Sequence, residues 1–131
     1  MLQSTFWSRE FFERAGQMLN SDKDLTNAFN GINTTILVEC SDRSSAYVIG
    51  VSDGKITSKE AVPGEKAEFR FSAPYEEWAR ILKDESKIQG EVVRGRIKFK
   101  GSMPKMLLYL SRVVKMEGKI IQMVKGMDLK Y

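Results

Sequence analysis

Residue periodicity along this 131-residue chain points to an α+β domain, with about five largely antiparallel strands and helices packed on one sheet face. Three features carry that reading. Residues 94–100 alternate strictly: Arg94, Arg96, Lys98 and Lys100 fall on one side, Gly95, Ile97 and Phe99 on the other, the two-residue period of a half-buried strand. Ser52-Asp53-Gly54-Lys55 separates two β-branched segments and is a strong hairpin signal. Trp7, Phe11, Ala15, Met18 and Leu19, with Phe12 at the edge, recur at helical spacing.

Taken in order, the chain opens with a helix expected from Ser4 or Thr5 to Asn20. A short second helix over residues 24–30 is ended by Gly31. Residues 34–40, TTILVEC, are rich in β-branched side chains and read as a strand. Residues 41–44 turn the chain into a second strand over 45–51, and the Asp53-Gly54 hairpin leads to a third over 55–58. Pro63-Gly64 breaks the chain before residues 67–72, where Ala67, Phe69 and Phe71 face one way and Glu68, Arg70 and Ser72 the other. These four strands are expected to form a meander. Ser72 is expected to open the next helix, with Pro74, Glu76 and Glu77 in its first turn and Tyr75, Trp78, Ala79 and Leu82 as its stripe.

Residues 83–89 read as a polar connection to the cationic strand. Gly101 ends that strand, and Ser102 caps a helix with Pro104 tolerated in its first turn. Met103, Met106, Leu107, Leu110, Val113 and Val114 form its apolar stripe, and Gly118 is expected to end it. Residues 119–124 are too mixed to assign. Each strand with one apolar and one polar side implies a sheet with one face on the helices and one in water.

Composition narrows the chemistry. The length suits a single domain over residues 1–131, and 42% hydrophobic residues suffice for a core. No long apolar run is present, and the N-terminal segment reaches Glu10 too early for a secretory signal. With the single cysteine, Cys40, this gives a cytoplasmic expectation. The chain has no histidine, which removes Ser-His-Asp and Cys-His nucleophile systems and any His-bearing zinc site. Cys40 alone excludes thiolate clusters and CxxC redox chemistry. No phosphate-cradling glycine motif occurs. The carboxylate pairs Glu76–Glu77 and Asp84–Glu85 sit at the ends of an expected helix, where exposed acids are ordinary. No catalytic group, metal ligand or cofactor is expected, and the chain does not read as an enzyme.

Charge is uneven. Residues 1–85 carry a net −4 and residues 86–131 a net +8. Such asymmetry suits an anionic partner: a phospholipid surface, a ligand headgroup or a nucleic acid.

The succession of motifs resembles the sterol carrier protein family of lipid-binding domains. An N-terminal helix precedes strands joined by a DGK-type hairpin, here Ser52-Asp53-Gly54-Lys55. Phe69-Arg70-Phe71-Ser72 then enters a helix at Tyr75-Glu76-Glu77-Trp78. A glycine-led basic strand, a glycine and a Met-containing helix follow in Gly95-Arg96-Ile97-Lys98-Phe99-Lys100-Gly101-Ser102-Met103. The resemblance spans most of residues 1–117. It departs at residues 86–93, where the family often has a second short helix.

The resemblance implies non-enzymatic binding or transfer of one lipid-like hydrophobic molecule (fatty acyl, sterol-like or isoprenoid) in an apolar tunnel between sheet and helices. Phe11, Phe69, Phe71, Trp78, Leu82, Ile97, Phe99, Met103, Met106, Leu107 and Leu110 are the expected lining. Seven methionines and several aromatics suit an adaptable apolar wall, although stripes at helical spacing also describe plain core. Arg94, Arg96, Lys98 and Lys100 are the expected contact for an anion or a transiently visited anionic membrane. An accessory role, docking a partner enzyme with the same fold, is the alternative. Nucleic-acid binding through the basic C-terminal region is disfavoured, because Phe99 points away from the cations it would have to accompany.

Overall fold

The computed structural model describes residues 4–84 and 88–131. Five strands form one sheet: β2 (Asn33–Cys40), β3 (Ser45–Ser52), β4 (Lys55–Glu60), β5 (Phe69–Ala73) and β6 (Lys98–Lys100). They lie in the order β4-β3-β2-β5-β6, and only the β2–β5 pair is parallel. The hairpin between β3 and β4 turns on two residues with positive φ, Asp53 at 47° and Gly54 at 86°, the twist a two-residue turn requires. Glycine is also needed there for space: a Cβ at Gly54 would lie 2.5 Å from the Thr26 carbonyl oxygen.

The expected four-strand meander is corrected at β5, which pairs with β2 rather than β4. The reason lies in the Ile36-Leu37-Val38 run. Its alternate residues are apolar in both directions, so β2 gains most as a central strand. Residues 61–68 therefore cross the sheet from one edge to the far side of β2. Glu65 of this connection pairs with Lys59 at 3.5 Å, and its carbonyl accepts from Arg70. Lys59 and Arg70 are register partners of Val48 and Leu37. The strap thus lies over these two apolar residues, which are buried on the face expected to meet water.

The first helix starts later than expected. Ser8 accepts the Phe11 N–H at 3.2 Å and caps α1 (Arg9–Asn20). Ahead of it, β1 (Ser4–Thr5) pairs in parallel with β7 (Leu129–Lys130) near the C-terminus. Trp7 is outside the helix, at φ 61°, and its ring packs 5.1 Å from Trp78 and 5.2 Å from Phe12. At the end of α1, the Asn20 amide donates to the Ile56 carbonyl at 2.8 Å and accepts the Ile56 N–H at 2.7 Å, covering the edge strand β4. Asp22 caps the short α2 (Lys23–Ala28).

Ser72 does not open the third helix. It stays in β5 and donates to Glu39 at 2.7 Å. The cap of α3 (Tyr75–Asp84) comes from the β2–β3 turn, where the Asp42 carboxylate accepts the Tyr75 N–H at 2.9 Å. Of the expected connection over residues 83–89, residues 85–87 lie outside the described residues, as does Glu85 of the Asp84–Glu85 pair. A helix, α4 (Ile88–Val93), follows where the sequence reading placed none.

Residues 94–97 are a turn, not strand, with Gly95 at φ 77°. The Arg96 and Ile97 N–H groups both donate to the Glu91 carbonyl, at 3.0 and 3.2 Å, which holds the chain against the end of α4. The four-cation strand is thereby reduced to Lys98 and Lys100.

Gly101, at φ 136°, passes so close to the Glu68 carbonyl that a Cβ would sit 2.8 Å from it. Ser102 then caps α5 (Met103–Val113), its hydroxyl accepting the Lys105 N–H at 3.3 Å. Gly118 does not terminate this helix. A 3₁₀ turn (Val114–Met116) leads into α6 (Glu117–Lys125), which contains it. No described helix is long and apolar enough to cross a membrane.

Candidate functional site

The site is built on the inner sheet face. Register pairs Ile36 with Ile49 and Phe69, and Val38 with Phe71, so these side chains share one face. They form the floor of a cavity of about 240 Å³, together with Thr34 and Val51. Met106, Tyr109 and Leu110 of α5 form its roof, Trp78 of α3 closes one end, and Phe29 and Ile32 line the other. The surface it presents is apolar, so it can hold hydrocarbon.

Polar groups occur at its rim. The Thr34 hydroxyl donates to Glu68, and the Lys105 ammonium donates to the same carboxylate. The Lys105 bond, followed by that from Thr34, holds the Glu68 carboxyl below its ordinary value. At the other end of α5 the Arg112 guanidinium donates to the Asn30 carbonyl at 2.6 Å. Met106 is the buried anchor of the helix, with Tyr109 and Leu110 half-buried beside it.

Of the expected lining, Phe69, Phe71, Trp78, Met106 and Leu110 meet in this cavity. Phe11 instead joins a neighbouring aromatic cluster, 5.0 Å from Phe6 and 5.1 Å from Phe12. Leu82 and Ile97 are buried elsewhere in the core. Phe99 stands behind the wall, its ring 5.1 Å from Phe71 and 6.1 Å from Phe69. Met103 and Leu107 point outward and are exposed, which corrects the expected stripe. The side chains of Val113 and Val114 lie outside those described.

Sequence reasoning missed the lining contributed by Phe29, Ile32, Thr34, Ile36, Val38, Ile49, Val51 and Tyr109. The signal lies in the hairpin register, which places Ile36, Val38, Ile49 and Val51 on one face.

The cations also divide. Lys98 and Lys100 are exposed on β6 and, with Arg70, line a groove of about 220 Å³ on the outer sheet face. Arg94 and Arg96 instead meet the buried Glu91 carboxylate at 3.2 and 3.3 Å, and Arg80 meets it at 2.5 Å. A buried carboxylate needs such compensation, which is why the alternating pattern does not continue as strand. Cys40 is fully buried, and its Sγ donates to Asp42 at 3.3 Å. Burial, reinforced by that carboxylate, pushes the thiol up to about 12, so it stays protonated and unreactive at neutral pH.

The sheet, its overlying helices and the half-open apolar cavity between them define an α+β domain with a hydrophobic pocket. The SCP-2 sterol transfer family matches residues 12–115, and the chain belongs to that family. Among curated proteins the sequence finds no match. Similar solved structures include a conserved hypothetical protein of Thermus thermophilus, described as possibly a sterol carrier protein. It has a TM-score of 0.73 at 13% identity, over 95% of this chain and 92% of that one. Sterol carrier protein 2 has a TM-score of 0.74 at 12% identity, over 93% and 98%. A ubiquinone synthesis protein, UbiJ-SCP2, has a TM-score of 0.62 at 13% identity, over 85% and 88%. At these identities the likeness is one of fold.

Proposed function

We propose that this domain binds a lipid-like hydrophobic ligand (fatty acyl, sterol-like or isoprenoid) in the cavity between the sheet and α5, and transfers it without catalysis. The observation that carries the reading is a half-open cavity with an apolar surface in a domain of the SCP-2 sterol transfer family. Scaling from the roughly 150 Å³ that accommodates a benzene ring, about 240 Å³ holds on the order of ten carbons. Those would offer about 8 kcal/mol of gross burial before association costs. A longer chain extends through the open side of the cavity or lifts its roof. That roof is α5, anchored by Met106 and by polar contacts at each end.

In this reading the contact with an anionic membrane falls to Lys98 and Lys100. Arg94 and Arg96 contribute less, because both engage Glu91. The compartment is read as the cytoplasm.

A second reading is an accessory domain that docks a partner enzyme. It is favoured by a volume below the roughly 300–1,000 Å³ usual for small-molecule sites, and by the likeness in fold to a ubiquinone synthesis protein. Native mass spectrometry of freshly purified protein, followed by solvent extraction, separates the two. Co-purifying lipid in one-to-one ratio supports the carrier. Protein that emerges empty and refuses added fatty acid supports the accessory role.

A further inference from the structure

We propose that the outward arc of α5 is a docking surface that seats on anionic lipid bilayers. The proposal rests on the reading of the cavity as a lipid site and adds where the protein meets the membrane. Met103, Leu107 and Leu108 are 40%, 39% and 61% exposed, and at 100° per residue they lie with Pro104 on one side of the helix. Three large apolar side chains together in water are costly unless something covers them.

Charge selects what covers them. Residues 103–116, the helix and the turn that follows it, carry Lys105, Arg112 and Lys115 and no acid. Lys105 and Arg112 lie about one turn before and after Leu108 on the helix, and Lys115 follows in the 3₁₀ turn. An apolar strip edged by cations suits headgroup phosphates above and acyl chains below. Long basic side chains keep their charge in the headgroup layer while the leucines enter.

The same helix turns Met106, Tyr109 and Leu110 into the cavity. Docking by the outer arc therefore brings the cavity roof against the bilayer. It also places lipid phosphates in competition with Glu68 for Lys105 and with the Asn30 carbonyl for Arg112, the contacts that hold the roof down.

The test uses the full chain with Cys40→Ala and Leu108→Cys, labelled with an environment-sensitive fluorophore. It is mixed with phosphatidylcholine vesicles that either contain or lack phosphatidylglycerol. A blue shift only with phosphatidylglycerol, weakened by salt, is expected, while the same label at Val62 stays in water. Leu108→Asp should weaken vesicle binding about tenfold. Its affinity for a fluorescent fatty acid in vesicle-free solution should match that of the parent.

Unshifted emission at residue 108 with both vesicle types overturns the proposal. So does a concentration-dependent shift without vesicles, which assigns the arc to a second copy of the chain. Vesicle insertion by a protein that binds no fatty acid supports the docking surface while removing the carrier reading. Fatty-acid binding without insertion does the reverse.

Discussion

Glu68 and Lys105 join the sheet to the helix that roofs its cavity: the ammonium of α5 donates to a carboxylate at the entrance of β5, which also accepts the Thr34 hydroxyl. The link ties the sheet to α5, most of whose outward residues are exposed. Among the described side chains of this helix, Met106 and the half-buried Tyr109 and Leu110 supply the apolar contact to the core.

Acid should loosen that roof. The folded-state Glu68 carboxyl lies below its ordinary value of 4.5, so its contribution is fully present above that value and is lost as pH falls through the lowered one. Hydrogen exchange should show α5 amides losing protection below about pH 4.5 before the β2–β3 amides do. Glu68→Gln should show the same weak protection already at neutral pH. Equal protection of α5 in wild type and Glu68→Gln would remove the link from the account.

Glu91 should matter to the fold more than its exposed partners Arg94 and Arg96. It is buried, accepts from Arg80, Arg94 and Arg96, and its backbone carbonyl receives two N–H groups. Glu91→Ala removes the shared carboxylate and should lower the melting temperature by several degrees, whereas Arg94→Ala, at an exposed end of the network, should shift it little. Calorimetry of the two variants checks the order.

Cys40 should be chemically silent. Its thiol is buried and held protonated, so a thiol reagent should label the native protein only at the rate of unfolding. Cys40→Ala should cost about 1 kcal/mol of stability through lost packing and leave ligand binding intact. A variant with an unchanged melting temperature and no ligand binding would point to thiol chemistry instead.

Local chemistry made much of this architecture legible. Asp53-Gly54 is read correctly because a two-residue turn with two positive φ angles has few sequence solutions. The burial of Phe69, Phe71 and Trp78 is legible because strand and helix periods both aim them inward. What escaped depends on distant partners. The central place of β2 follows from the sheet as a whole, although Ile36-Leu37-Val38 hinted at it. The turn at residues 94–97 depends on Glu91, whose need for cations cannot be read from an alternating run. The outward placement of Leu107 reflects the pose of α5, which Glu68 and Asn30 set from elsewhere in the chain.

Met106 is the side chain on which the cavity reading can be tested alone, because it anchors the roof and faces the floor formed by Ile36 and Phe69. Titration of a fluorescent fatty acid into wild type and Met106→Trp, each checked for folding by circular dichroism, reads the claim that this chamber holds lipid. The indole would occupy space the ligand needs. Wild type should bind saturably at one to one, and the folded variant should bind at least about tenfold more weakly. Equal affinity in a folded Met106→Trp protein would contradict a ligand site in this cavity.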